Sequence, residues 1–191
     1  MAEDKKKSMI AESFRELMEY KPFHKITISD IANGCNISRM TFYYHFEDIY
    51  DLLRWTVESD VHASLKSFSE EKRWQKGLSL FLDNLKEQKQ ILLNAVHSLG
   101  RNEIANLFDK EIESLILMYI RAGINNRPIA DEDLTFITRF YKYAFEGMIF
   151  DWIDNEMKED AAVLERNLEI LMQNNIDDDI EGFVNARKIS K

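Results

Sequence analysis

The chain has 191 residues, a formal net charge of −9 and one cysteine, Cys35. It is long enough to bury roughly 70% of its unfolded surface without a disulfide or a metal, and a single thiol excludes an internal disulfide framework and a multi-cysteine metal site. Glycine and proline number 6 and 2, against about 13 and about 10 at average usage, so a hairpin-rich all-β fold is excluded. No stretch reaches the 18 uncharged apolar residues of a membrane span, and MAEDKKKS has no apolar core that would make a secretory signal. The expectation is a cytoplasmic protein with no membrane partner.

The helical period of 3.6 residues runs through nearly every segment. Ile10, Phe14, Leu17 and Met18 stand at i, i+4, i+7 and i+8, one helical face. This first helix is predicted to end near Tyr20, because Pro22 biases Lys21 away from helical angles. Thr27 is placed to cap a second helix, with Asp30 three residues on as the return arm of a capping box and Ile28, Ile31 and Ala32 facing inward. That helix stops by Asn36, a residue that tolerates the left-handed conformation. Ser38 caps a third, short helix over Arg39 to His45, with Ile37 and Phe42 in the positions of a hydrophobic staple.

A long fourth helix follows from about Glu47 to Phe68, with Ile49, Leu52, Leu53, Val57 and Leu65 apolar. Further helices are predicted at about Arg73 to Glu87, Lys89 to Leu99 and Glu103 to Ile124. The run Asn125-Asn126-Arg127-Pro128 then breaks the pattern. Two more helices follow, at about Asp131 to Asn155 and Glu159 to Asn174. From Ile176 on, an acidic tail is expected to fray.

Two short helices joined by a tight turn between residues 27 and 46 fit a helix-turn-helix. Phe42 and Phe46, at i and i+4, supply a buried back, leaving Arg39, Met40, Thr41, Tyr43, Tyr44 and His45 to face outward. Arg39 can pair with guanine edges, and Met40 or the Thr41 methyl can touch thymine methyls. Hydroxyls and the imidazole can reach phosphate oxygens. Charge points to the same end of the chain. Residues 1–55 hold 8 Lys+Arg against 9 Asp+Glu, whereas the other 136 residues hold 17 against 25, so a polyanion would dock on the N-terminal quarter.

The stretches ITISDIANGCNISRMTFYYHF and TFYYHFEDIYDLL resemble the helix-turn-helix and the start of helix four in the TetR family of bacterial transcriptional regulators. The stretch YAFEGMIFDWIDNEMKEDAAVLERNLEILM is similar to the C-terminal region of a subgroup that includes dihydroxyacetone-kinase-type regulators. The resemblance implies an all-α fold, with a DNA-binding head at 1–48 and a helical effector-binding and dimerisation body at 49–191. It also implies roles for individual residues. Thr27 and Thr41 would bind phosphate, Arg39 and Met40 would read bases, and Tyr43, Tyr44 and His45 would clamp the backbone, with Ser38 at the head of the same helix. The chain departs from the family pattern in having Glu47, Asp48 and Ile49 where a phosphate-gripping lysine is frequent. Lys5, Lys6, Lys7 and Lys25 would then carry more of the backbone contact.

The function implied is a regulator, most often a repressor, that binds a near-palindromic double-stranded operator as a homodimer and is released by a small-molecule effector. One recognition helix spans too few base pairs, so two half-sites are expected. Phe145, Met148, Trp152, Leu164, Leu168 and Leu171 on the last two helices would pair with their copies in an isologous interface. Phe81, His97, Phe108, Tyr119, Arg121, Arg139, Tyr143 and Glu146 are candidates to line or orient an effector in the body; ordinary core packing is the stronger account of each aromatic one taken singly, while the resemblance implies a cavity for the set. No cofactor or metal is called for. Two rival functions stand beside this one: a family member that senses a ligand and binds a protein partner without touching DNA, and a small helical enzyme. The enzyme lacks any phosphate loop, HExxH or GxSxG motif.

Overall fold

The structure, a computed structural model, describes residues 2–70, 74–124 and 127–189. Arg73, Asn125 and Asn126, where the sequence suggests a helix start and a break, lie outside these. The described residues form α-helices joined by short connections, without a strand among them. In chain order the helices are α1 (Ala2–Tyr20), α2 (Ile28–Gly34), α3 (Arg39–His45), α4 (Ile49–Glu70), α5 (Trp74–Glu87), α6 (Lys89–Leu99), α7 (Arg101–Ile124), α8 (Asp131–Asp154) and α9 (Ala161–Ile189), with one 3-10 turn at Phe23–Lys25. None is long and apolar enough to cross a membrane. The chain divides into two compact units. One holds the residues up to Val61 together with Gln88–Leu107, and the other holds His62–Glu87 and the residues from Phe108 onward.

In the first unit the predicted apolar face of α1 is the core. Ile10, Ala11 and Phe14 are fully buried and Met18 nearly so, as are Ile31, Ala32, Phe42 and Phe46 of the same unit. Leu17 is half-buried. Gly34 lets α1 and α2 approach closely: a Cβ there would stand 2.2 Å from the Ser13 hydroxyl oxygen. That hydroxyl donates to the Ile31 carbonyl across 3.0 Å, a buried bond between the two helices. Arg15 on α1 forks onto Asp60 of α4, with its Nη2 2.5 Å from one carboxylate oxygen. Arg54 on α4 reaches Glu103 at the start of α7 at 2.6 Å.

In the second unit Phe68, Phe81 and Phe145 stack in sequence with ring centroids 6.0 Å apart. Gly77 gives Phe68 room, because a Cβ there would fall within 2.3 Å of its ring. Lys142 is buried on α8, its side chain only 3% exposed, and donates to Asp109 of α7, with Glu113 at 3.8 Å. The turn from α8 to α9 passes through two left-handed residues, Glu156 and Met157, and Trp152 Nε1 fastens it by donating to the Glu159 carbonyl at 2.9 Å.

The last helix corrects an expectation. The segment from Ile176 is not a frayed tail but the second half of α9, which continues to Ile189. Leu164, Leu168, Met172, Ile176 and Ile180 form an i+4 row, every member of it buried. The carboxylates that make this stretch look solvated are held by other elements. Asp177 takes a bond from Arg127, Asp179 accepts from the Tyr141 hydroxyl at 2.6 Å, and Arg187 near the end grips Glu132 and Asp133 of α8. Burial, together with the Asp179 acceptor beside it, raises the Tyr141 phenol above its ordinary range.

Candidate nucleic-acid interface

The helix-turn-helix is built by caps. The Asp30 N–H donates to Thr27 Oγ1 at 3.2 Å, and the Thr27 backbone N–H and hydroxyl both donate to Asp30 Oδ2, at 2.8 and 2.7 Å. This is the reciprocal capping box. Lys21 adds an ion pair to the same carboxylate at 2.6 Å. Its hydrogen bond, followed by those from Thr27, holds the Asp30 carboxyl down at about 2. Asn36 takes φ 53°, the left-handed turn expected between the two short helices. Ser38 Oγ then accepts from the Thr41 N–H at 3.0 Å to start α3, and shares a further bond with the Thr41 hydroxyl at 2.9 Å.

The seven residues of α3 are split sharply by burial. Phe42 is fully buried and Phe46, the C-cap, is 2% exposed. Met40 is 82% exposed, Tyr44 79% and Tyr43 50%. Arg39 is also exposed, while Thr41 and His45 are half-buried. Solvating Met40 and two tyrosines this way leaves apolar and aromatic surface unpaid for by the fold, the pattern expected of a surface meant for a partner. The His45 ring lies edge-on to Tyr44 at 5.0 Å, and its Nδ1 is buried without a hydrogen-bond partner among the described residues. Tyr43, Tyr44, Arg39 and Met40 thus share one open face. Thr27, Ser38 and Thr41 are engaged in caps, so their hydroxyls reach phosphate only while also holding helix ends.

The lysines fall in two groups. Lys7 stands over the Phe46 ring at 5.5 Å, which ties α1 to the end of α3. Lys5, Lys6 and Lys25 are exposed on α1 and on the 3-10 turn. The acidic residues after α3 have a local explanation. The Asp51 N–H donates to Asp48 Oδ1 at 2.8 Å and the Glu47 N–H to Asp51 Oδ2 at 3.0 Å, a second capping arrangement that starts α4. Sequence reasoning missed this pair, as it missed the Ser13–Gly34 approach. The first was legible as D-x-x-D; the second leaves no mark in one sequence. Tyr50 was also missed. It is half exposed and packs edge-on to Phe23 at 5.5 Å.

The candidate effector residues differ in their settings. Phe81 and Phe108 are packed in the core. Tyr119 is half-buried, Arg121, Arg139 and Tyr143 are exposed, and Arg139 and Lys142 both lie against the Tyr143 ring. Glu146 keeps one buried oxygen without a hydrogen-bond partner among the described residues, and burial raises its carboxyl above the usual range. His97 belongs to the first unit and is exposed. Of the six dimer candidates, Phe145, Trp152, Leu164 and Leu168 are buried within the protomer. Within one protomer these four take part in the core of the second unit. Met148 and Leu171 remain exposed, at 43% and 56%.

An all-helical chain with this head, two capped helices presenting one polar and aromatic face, is a helix-turn-helix transcriptional regulator. Residues 10–54 match the bacterial regulatory proteins of the tetR family, and residues 72–174 match a transcriptional regulator C-terminal region. The chain belongs to the TetR family. It is 33% identical over 111 residues to the HTH-type dhaKLM operon transcriptional activator DhaS of Lactococcus lactis subsp. lactis strain IL1403, covering 54% of this chain and 59% of DhaS. It is 26% identical over 98 residues to the HTH-type transcriptional regulator EthR of Mycobacterium tuberculosis strain CDC 1551 / Oshkosh, covering 46% and 45%. The chain thus spans about half the length of the curated relatives it matches. Among solved structures it resembles the dihydroxyacetone kinase operon activator DhaS, with TM-score 0.71 and 25% identity over 89% of this chain and 95% of that one. FadR from Bacillus subtilis in complex with stearoyl-CoA shares the fold, with TM-score 0.59 and 16% identity over 87% and 97%.

Proposed function

We propose that the protein is a cytoplasmic, non-enzymatic regulator that binds a near-palindromic operator as a homodimer, represses there, and is released by a small-molecule effector. The observation that carries DNA reading is the exposed face of α3, where Arg39, Met40, Tyr43 and Tyr44 stand out from a helix whose back, Phe42 and Phe46, is buried. Arg39 and Met40 read bases. Tyr43, Tyr44 and His45 hold the backbone, with Thr27, Ser38 and Thr41 at the helix ends and Lys5, Lys6, Lys7 and Lys25 around them. The head at 1–48 reads DNA, and the body at 49–191 dimerises and senses the effector.

Pairing of two copies is supported by an unspent apolar face. Phe136, Phe140, Ala144 and Met148 form an i+4 row on α8, and Ile170 and Leu171 are exposed on α9. A cleft of about 370 Å³ between α8 and α9 is lined by Phe140, Ala144, Met148, Leu168 and Leu171 among others. A Cβ on Gly147 would meet nothing within 4 Å, so there is room for a partner helix. Fluorescence anisotropy with DNA from upstream of the protein's own gene tests the reading. Binding should weaken steeply with salt, because phosphate contacts release counterions. Salt-independent binding, or none to that DNA, would refute it. The second reading, a ligand-sensing partner of another protein, is favoured by Glu47, Asp48 and Asp51 beside α3. Activation, the role by which DhaS is named, is decided by a reporter assay with and without the gene.

A further inference from the structure

Within the second unit, α8 and α9 leave a small cleft of about 170 Å³ between Phe136, Ile137, Phe140 and Tyr141 on one helix and Asp179 and Phe183 on the other. Sites for drug-sized ligands begin at roughly 300 Å³, so this one fits a head group. Four of its six lining residues are aromatic. The Phe136 and Phe183 rings stand 6.0 Å apart at 47°, and Phe140 meets Tyr141 edge-on at 5.5 Å. Phe136 and Phe140 are 61% and 59% exposed, so much of their ring surface is open. Among these rings stands a single carboxylate.

Asp179 is hydrogen-bonded but not neutralised. Its Oδ2 accepts from the Tyr141 hydroxyl at 2.6 Å, and a phenol raised above its ordinary range by burial and by that acceptor stays protonated and uncharged. The cations of the surrounding helices are committed elsewhere. Arg187, one turn along α9 from Phe183, holds both Glu132 and Asp133. Arg127 holds Asp177, Arg139 lies over the Tyr143 ring at 5.9 Å, and Lys142 turns to Asp109 of α7. Among the described residues no ion pair reaches Asp179. Ring faces attract a cation through their quadrupoles and the carboxylate through its charge. The walls also select the kind of cation. A primary ammonium carries three donors, and the only side-chain acceptors here are the carboxylate and the phenol oxygen, so entering the cleft leaves donors poorly satisfied. A fully methylated ammonium has no donor to satisfy.

We infer that this α8–α9 cleft binds a quaternary ammonium head, with Phe136, Phe140, Tyr141 and Phe183 as its walls and Asp179 as its counterion. Phe136 and Phe140 also begin the row read above as a pairing face, so a second copy is the rival occupant. The apolar row of such a copy would desolvate Asp179 without a counterion, whereas a small cation supplies one. The inference does not rest on operator binding, and its test contains no DNA.

Proton NMR titration of the full chain with choline tests it, beside the neutral isostere 3,3-dimethyl-1-butanol and methylammonium, all at constant ionic strength. The N-methyl signal of bound choline should move upfield, because the ring faces shield it, and choline should bind about tenfold or more tighter than the isostere. In Asp179→Asn, which keeps an acceptor for Tyr141, choline affinity should fall about threefold or more. Phe136→Leu, at an exposed position, should reduce both the affinity and the upfield shift while circular dichroism stays unchanged. The inference is overturned by equal binding of the isostere, by methylammonium binding as tightly as choline, or by undiminished affinity in Asp179→Asn. Choline binding seen only at protein concentrations where sedimentation finds single copies would also overturn it, and would assign the cleft to a second copy.

Discussion

Asp30 serves two partners at once: it closes the capping box with Thr27 and it receives Lys21. Its carboxyl is held at about 2 in the fold, below an ordinary value of 3.8. A group depressed on folding contributes stability above its unfolded pKa, and that contribution is lost as pH falls through the folded value. The head should therefore lose stability between about pH 4 and pH 2. Asp30→Asn should flatten that part of a melting-temperature profile while lowering stability at neutral pH. A profile as steep as wild type would show that other carboxylates set it. Arg39 provides the residue-scale test of reading. If it pairs with a guanine, Arg39→Ala should cost about 1–3 kcal/mol and relax preference at one operator position, measured with a panel of single-base operator variants. A uniform loss on all sequences would make it a phosphate contact instead. At this scale the sequence was informative wherever a residue type has one local job. Thr27, Asp30, Asn36 and Ser38 announce caps and a turn by identity and spacing alone, and each is found doing that job. Ser13 and Gly34 were not legible, because the 18 residues between Ser13 and its acceptor Ile31 hide a contact that depends on how two helices cross. In Gly34→Ala the Ser13 hydroxyl must turn from Ile31, so a loss of about 1–3 kcal/mol in chemical denaturation is expected.

Whole helices were read well where an apolar period met clear punctuation. α3 and α6 have the predicted bounds, and α8 differs by one residue at its end. α9 was cut short because its carboxylates outweighed two isoleucines in a composition-based reading. Composition averages over faces, whereas burial acts on one face at a time: Ile176 and Ile180 lie on the buried row while Asp177 and Asp179 lie on faces where Arg127 and Tyr141 meet them. The dimer candidates carry a related ambiguity. A stripe of period 3.6 says that a helix has an apolar side, but not whether that side is used by its own chain or by a copy. Phe145, Trp152, Leu164 and Leu168 are used within the protomer. The difference can be measured on α9. Ile180 is fully buried, so Ile180→Ala should destabilise the chain by about 2–5 kcal/mol. A tail that merely frays would lose almost nothing, and the urea midpoint separates the two.

A whole molecule of net charge −9 must offset its own repulsion to hold DNA. One helix of seven residues offers few contacts, and the acidic majority of the chain repels phosphate beyond the first Debye length only weakly at physiological salt. In the proposed dimer, two heads on one operator would solve this by effective concentration: once the first is bound, the second would bind as an intramolecular event, worth about 10²–10⁴ in affinity. Operator binding should therefore depend on the apolar face of α8 and α9 although that face touches no DNA. Leu171 is the sharpest probe, since it is 56% exposed and lines the α8–α9 cleft, so a charge there costs the protomer little and an isologous partner twice. Leu171→Glu should sediment as a monomer, keep its helical spectrum, and lose about 10²-fold or more in affinity for a two-site operator, while its affinity for a single half-site stays at the wild-type level. A variant that remains dimeric would move the interface elsewhere. A monomer that still binds the full operator as tightly as wild type would remove the need for two copies, and with it the palindrome.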